Sequence, residues 1–490
     1  MHIHLITLAL PLAVLAHSPR PNAHQDIVRR AAHSASSSSS SSSAAPVVAK
    51  KPTTSAPVLA PLAATPAPAP TTTTPAAAKK PKAAVTAAPS AGVTTAVVAG
   101  TSTFATSSLA TTYPPGSTPT AVKGAPPLPN WATINPADYP ALDLLPPIDS
   151  AQMKQWISEI DMTGIPNIPP TGLGGCANTT YNAQAIKDAT TNCWWTCAPN
   201  HCTRDTDISF CPNKGTWGLS YDDGPSPSTP KLLDFLDSQN LLATFFVVGS
   251  RAVSRPEMLQ NQYMAGHQIS VHTWAHSSLT TLSNEGIIAE LAWSKAIIKA
   301  VTGVTPNTMR PPYGDIDDRV RYISMQLGLT PIIWTVAGDN SYDTQDWQIA
   351  DGGVSAAKVL KNFETIINGS TSLNTGFIVL EHDLEEQSVD LAVEYVLPQA
   401  LDFTPTLTLE PIITCLGQDL SQAYMETYVT PNVAQAALVN SSKASSAVKA
   451  AGSTVSGAGS GSTAGAGRVS GIGMAALMGV VAVGFAALAW

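Results

Sequence analysis

Residues Trp217–Asn240 read "WGLSYDDGPSPSTPKLLDFLDSQN", and three local patterns meet in them. "WGLSY" is a short β-rich run, and "TPKLLDFLDSQN" is helix-like. Between them stand two adjacent acids, Asp222 and Asp223, before a Gly-Pro turn. Asp, Gly and Pro are ordinary turn residues, so the pair by itself reads as a loop. The surroundings give it more meaning, because the pattern recurs. "ATFFVVG", "HQISVH", "PIIWTV" and "GFIVLE" are further strand-like runs, and "SNEGIIAELAWSKAIIKAVTG" and "GGVSAAKVLKNFETIIN" are further helices. Strands alternating with helices predict an α/β fold with a parallel sheet or a (β/α) barrel. Roughly 200 residues is short for a complete eight-stranded barrel. Sites in such folds sit at the C-terminal ends of strands, which is where the acid pair falls.

Other strand ends carry reactive residues too. In "HQISVHTWAHSS", His272 and His276 are four apart, a spacing that on a helical turn sets both imidazoles on one face, ready to share a metal. "MRPPYGDID" offers Arg310 and a Pro-stiffened backbone before Tyr313, "NSYDTQDW" offers Asp343, Asp346 and Trp347, and "FIVLEHD" ends in His382. Each has an ordinary structural explanation. Five polar clusters at five successive strand ends do not.

The flanks are compositionally different. The 490-residue chain has 40 prolines and only 12% charged residues, with a net charge of −8. No basic stripe with interleaved aromatics occurs, which speaks against nucleic acid as a partner. "MHIHLITLALPLAVLA" predicts a signal peptide over residues 1–16, and the dibasic Arg29-Arg30 could end a short pro-segment. A Ser/Thr/Ala/Pro-rich stretch over 17–127 reads as a disordered, O-glycosylated stalk. A Ser/Ala/Gly-rich linker follows over 434–470, and the apolar "GIGMAALMGVVAVGFAALAW" over 471–490. That order predicts a glycosylphosphatidylinositol (GPI) signal with attachment near Ser460, a single-pass anchor being the alternative. Sequons stand at Asn178, Asn368 and Asn440. Six cysteines in a secretory context favour disulfides. Five of them precede the acid pair, predicting a stapled cap over 128–211, with Cys415 in a C-terminal extension (405–433) tying the end back. Trp194 and Trp195 read as packing within that cap.

The five clusters, "YDDGP", "HTWAH", "RPPYG", "DTQDW" and "VLEHD", stand in the order found in the polysaccharide deacetylases of carbohydrate esterase family 4, and over 212–404 the chain resembles their NodB homology domain. Within that family the stalk, cap and anchor signal look most like those of fungal chitin deacetylases. Tyr221 stands where many members have Phe.

The resemblance implies a distorted (β/α) barrel and a division of labour. Asp223, His272 and His276 would bind one divalent ion, zinc or cobalt, and Asp222 would act as general base, oriented by Arg310. His382 would be the general acid, tuned by Asp346, with the Tyr313 N–H as oxyanion donor and Trp347 and Leu380 lining the acetyl pocket. Chitin or its oligomers would be the substrate, and the enzyme would sit at the plasma membrane on its GPI anchor or pass to wall polysaccharide. The alternatives are an O-acetyl xylan esterase of the same family and an inactive chitin-binding wall protein.

Overall fold

In the computed structural model, residues 109 and 111–428 are described. The expected signal peptide, Arg29-Arg30, most of the expected stalk, Asn440, Ser460, the expected linker and the apolar tail lie outside the described residues.

Trp217–Asn240 folds as strand, loop and helix. Strands β1 (Thr216–Gly218) and β2 (Ser220–Asp222) are two segments of one run, buried throughout. The helix Thr229–Gln239 follows and stops at Asn240, whose left-handed conformation (φ 55°) is a common helix terminator. Strands β3 (Thr244–Val247), β4 (Gln268–Val271), β5 (Thr308–Met309) and β6 (Thr330–Pro331) then add one after another. The order β2-β3-β4-β5-β6 is parallel throughout. A two-stranded antiparallel hairpin, β7 (Val336–Ala337) and β8 (Asn340–Ser341), comes next. β1 pairs in parallel with β9 (Phe377–Ile378) on one side and β10 (Thr408–Glu410) on the other.

Single contacts close the ring. Beyond β6 the Thr335 N–H donates to the Ile378 carbonyl at 3.0 Å, Asp343 bridges Leu380, and His382 bridges Asp222. The hydrogen-bonded path thus returns to β2, and this parallel-sheet α/β fold is consistent with the distorted barrel that the resemblance implies. β1–β5 and β9 are buried throughout, which explains why their stretches read as near-continuous apolar runs, whereas β7 and β8 are not buried. The long helix Asn284–Thr302 packs outside, capped by the Ser283 hydroxyl and stopped by Gly303 at φ 83°.

Three disulfides form, Cys176–Cys197, Cys193–Cys202 and Cys211–Cys415. Two staple the cap, and the third joins the start of the barrel to its end. Trp194 and Trp195 are buried, as packing residues should be. One boundary moves: residues 111–127, assigned to the stalk by composition, pack on the domain. Val122 is fully buried, the Gly116 N–H donates to the Leu128 carbonyl, and Asn261 donates to the Thr111 carbonyl.

Candidate active site

β2 delivers the acid pair to the end of the barrel. Asp222 keeps extended geometry, whereas Asp223 is left-handed (φ 80°), so the two carboxylates leave the strand in different directions. Asp222 Oδ1 accepts from Arg310 Nη1 at 2.7 Å, and Arg310 also donates to Ser220 Oγ at 3.1 Å with its guanidinium over the Phe246 ring. Asp223 faces the histidines, its Oδ1 lying 3.4 Å from His272 Nε2 and 3.1 Å from His276 Nε2.

The His272–His276 segment corrects the sequence reading. It is not a helical turn: His272 follows directly after β4, and Thr273 (φ 64°) and His276 (φ 57°) are both left-handed. This kinked loop still brings the rings to 4.9 Å between centroids. His272 Nδ1 donates to the Arg310 carbonyl at 2.8 Å, which leaves Nε2 with its lone pair toward Asp223. His276 Nδ1 contacts the Tyr313 hydroxyl at 3.1 Å, so its Nε2 also points to the carboxylate. Among the described residues, Asp223, His272 and His276 form a buried group whose ligand atoms lie within 4.8 Å of one another. Two imidazole nitrogens and a carboxylate, with the outer nitrogens already engaged, fit a divalent metal ion.

Across the site stands His382. Its Nδ1 lies 2.7 Å from Asp346 Oδ1, and its backbone N–H donates to Asp346 Oδ2 at 2.9 Å. Burial alone would lower its pKa, but the ion pair with Asp346 and the fields of Asp223 and Asp222 outweigh it and push it up to about 10. Asp222, His272, His276 and His382 open on one pocket of about 280 Å³. Tyr313 (φ 62°), Trp347 and Leu380 line it, together with Trp334 and Asp343.

Several supporting residues escaped the sequence reading. Trp334 looked like strand core in "PIIWTV", yet it forms pocket wall. Glu290 is fully buried in the long helix, where it accepts from the Trp274 and Ala275 N–H groups and from Ser277 Oγ at 2.6–2.9 Å. It therefore fixes the loop between the two histidines, and an acid inside the apolar "GIIAELAW" was the available signal. Arg251 Nη1 donates to the Asp223 carbonyl at 2.6 Å. Asp315 accepts from Trp194 Nε1 in the cap and from Ser278 Oγ just beyond His276. Glu381 is buried beside His382, and desolvation raises its pKa well above the usual carboxylate range. Of the sequons, Asn368 is exposed, whereas the Asn178 side-chain nitrogen donates to the Leu173 carbonyl at 2.9 Å.

Residues 210–332 match a family model described as polysaccharide deacetylase, a span that holds "YDDGP", "HTWAH" and "RPPYG". Chitin deacetylase 1 of Cryptococcus neoformans var. grubii is 55% identical over 328 residues, covering 66% of this chain and 67% of that protein. The chitin deacetylase of Amylomyces rouxii is 37% identical over 295 residues, covering 58% of this chain and 66% of that one. The solved structure of the Colletotrichum lindemuthianum chitin deacetylase aligns with 46% of this chain and 98% of its own at 26% identity, with a TM-score of 0.40. The chain spans about two thirds of the length of the two curated relatives. On the match to the family model and the 55% identity to the Cryptococcus protein, this chain belongs to the polysaccharide deacetylase family.

Proposed function

We propose that this protein removes N-acetyl groups from chitin, giving acetate and chitosan, with one divalent ion held by Asp223, His272 and His276. The names of its relatives support the substrate. The observation that carries the chemistry is the placement of Asp222 and His382 on one small pocket, each with its own oppositely charged partner. Zinc suits the donor set, and cobalt can replace it. Such an ion supplies Lewis acidity toward water and the acetyl carbonyl.

The protein groups supply the rest. Asp222, gripped by Arg310, takes the proton from the attacking water. The Tyr313 N–H serves the oxyanion that develops at the carbonyl. His382, with Nδ1 on Asp346, delivers the Nε2 proton to the amine nitrogen, which leaves poorly without one. Trp347 and Leu380 hold the acetyl methyl. The apolar segments at 1–16 and 471–490 and the small residues at Ser460 support export and a GPI anchor at the plasma membrane, with release into the wall as the alternative to retention there.

The test is acetate release by purified, metal-loaded protein from chitin oligomers, with acetylated xylan as the rival substrate. Release from the oligomers is expected. Release from xylan alone would replace the amidase reading with an esterase, and release from neither would leave a binding protein.

A further inference from the structure

Trp195 lies where the stapled cap meets the catalytic pocket. The loop that carries it is clamped by Cys193–Cys202 and Cys176–Cys197, and its backbone N–H donates to the Ile316 carbonyl at 2.9 Å. The side chain is buried, 3% exposed, with His201 packed against it at 4.4 Å between centroids. Its indole meets that of Trp334 edge to face, with centroids 4.7 Å apart and planes at 75°. Trp334 is itself pocket wall, beside Tyr313. Gly314 fills the remaining corner: a Cβ there would come within 2.5 Å of Trp195 and 2.9 Å of Trp334. The two indoles and the Tyr313–Gly314 turn are therefore in contact with no slack.

We propose that Trp195 is a positioning residue that sets the acyl-size limit of the pocket, acting through Trp334 and the Tyr313–Gly314 turn. The inference rests on the reading that this pocket receives the N-acetyl group. Trp195 touches no reacting atom. It backs the wall that does, so removing its indole leaves a void into which Trp334 relaxes, and the pocket gains room for a longer acyl chain. A pocket that excludes one extra methylene by steric fit discriminates by about 10- to 200-fold, and that margin is what the cap would control.

The experiment compares N-acetyl and N-propionyl chitotetraose as substrates for the full chain, metal-loaded, as wild type, Trp195→Phe and Trp195→Ala. Thermal stability and metal content are measured alongside. The ratio of kcat/KM for acetyl over propionyl should fall about tenfold in Trp195→Ala, with an intermediate fall in Trp195→Phe. A merely structural tryptophan would lower both substrates equally, and that outcome, or an unchanged ratio in a folded variant with metal retained, overturns the proposal. If Trp195→Ala does not fold, the Trp195→Phe ratio decides by the same criterion. Wild-type protein that releases neither acid overturns the underlying reading first, and the proposal with it.

Discussion

Arg310 Nη1 donates to Asp222 Oδ1 at 2.7 Å, with both side chains almost completely withdrawn from water. The carbonyl of the same arginine accepts from His272 Nδ1, so one residue holds both the proposed base and a proposed metal-binding ring. The two tasks use different atoms and can be separated. Arg310→Met strands Asp222 as a buried, unpaired carboxylate and should cost about 3–5 kcal/mol of stability. It keeps the carbonyl, so metal should remain while kcat falls by roughly two orders of magnitude. Denaturant unfolding, metal analysis and acetate release check this together, and unchanged kcat would remove Arg310 from the mechanism.

The adjacent acids should separate in the same way. Asp223→Ala is expected to lose metal, whereas Asp222→Asn should retain metal and lose turnover. Strong chelator should abolish acetate release, and zinc or cobalt should restore it. Equal metal loss in both variants would mean that the roles of the two acids are exchanged.

His382 must be protonated to serve the leaving nitrogen, so activity should fall as pH rises through its pKa. Burial lowers that pKa and the Asp346 ion pair raises it by more, so the high-pH limb of kcat should lie above the ordinary imidazole range, while a divalent ion on Asp223 would offset part of the field and bring the limb below the metal-free value of about 10. Asp346→Asn removes a charge that raises it and should move the limb to lower pH. His382→Ala should lose roughly two or more orders of magnitude on chitin oligomers and much less on an aryl acetate, whose phenolate departs unaided. Equal losses on both, with metal retained, would make His382 a structural residue.

Glu290 offers a test of the loop between the histidines. Glu290→Ala leaves two backbone N–H groups and the Ser277 hydroxyl without their buried acceptor, each worth about 1–3 kcal/mol. Metal affinity should weaken by roughly 10- to 100-fold, because the loop carries His276. Titration calorimetry with zinc measures it, and unaltered affinity in a destabilised protein would show that the loop holds without its anchor.

Removal of residues 471–490 should convert a membrane-bound protein into a secreted one of equal specific activity. A phosphatidylinositol-specific phospholipase should release the full-length form. A form that resists the lipase and retains its C-terminal tail by mass spectrometry would establish a transmembrane anchor instead.

The acid pair, His272 and His382 were legible because each stands at the end of a β-rich run, and strand ends converge in this class of fold. The path of the chain between them was not. A spacing of four between His272 and His276 has two solutions, a helical turn or a loop kinked by left-handed residues, and only backbone angles distinguish them. Trp334 was hidden because an indole in a strand reads as core whether or not its far edge meets a pocket. Residues 111–127 were misassigned because Pro, Ser and Thr resemble a stalk in composition, and the buried Val122 gives no periodic signal. Cysteine pairing depends on distances in space, which the spacing of Cys193, Cys197 and Cys202 does not encode.

The left-handed backbone at Asp223, Thr273, His276, Tyr313 and Gln345 places five non-glycine residues of the site motifs and their loops in a region that costs roughly 1–3 kcal/mol each. Selection for heat resistance alone would therefore favour Thr273→Gly and Gln345→Gly, which relieve that cost while loosening the frames of a proposed metal ligand and of the Asp346–His382 pair. Thermal tolerance and turnover pull in opposite directions at these positions. Gains in robustness belong on the outer helices, where backbone comfort and catalysis do not compete.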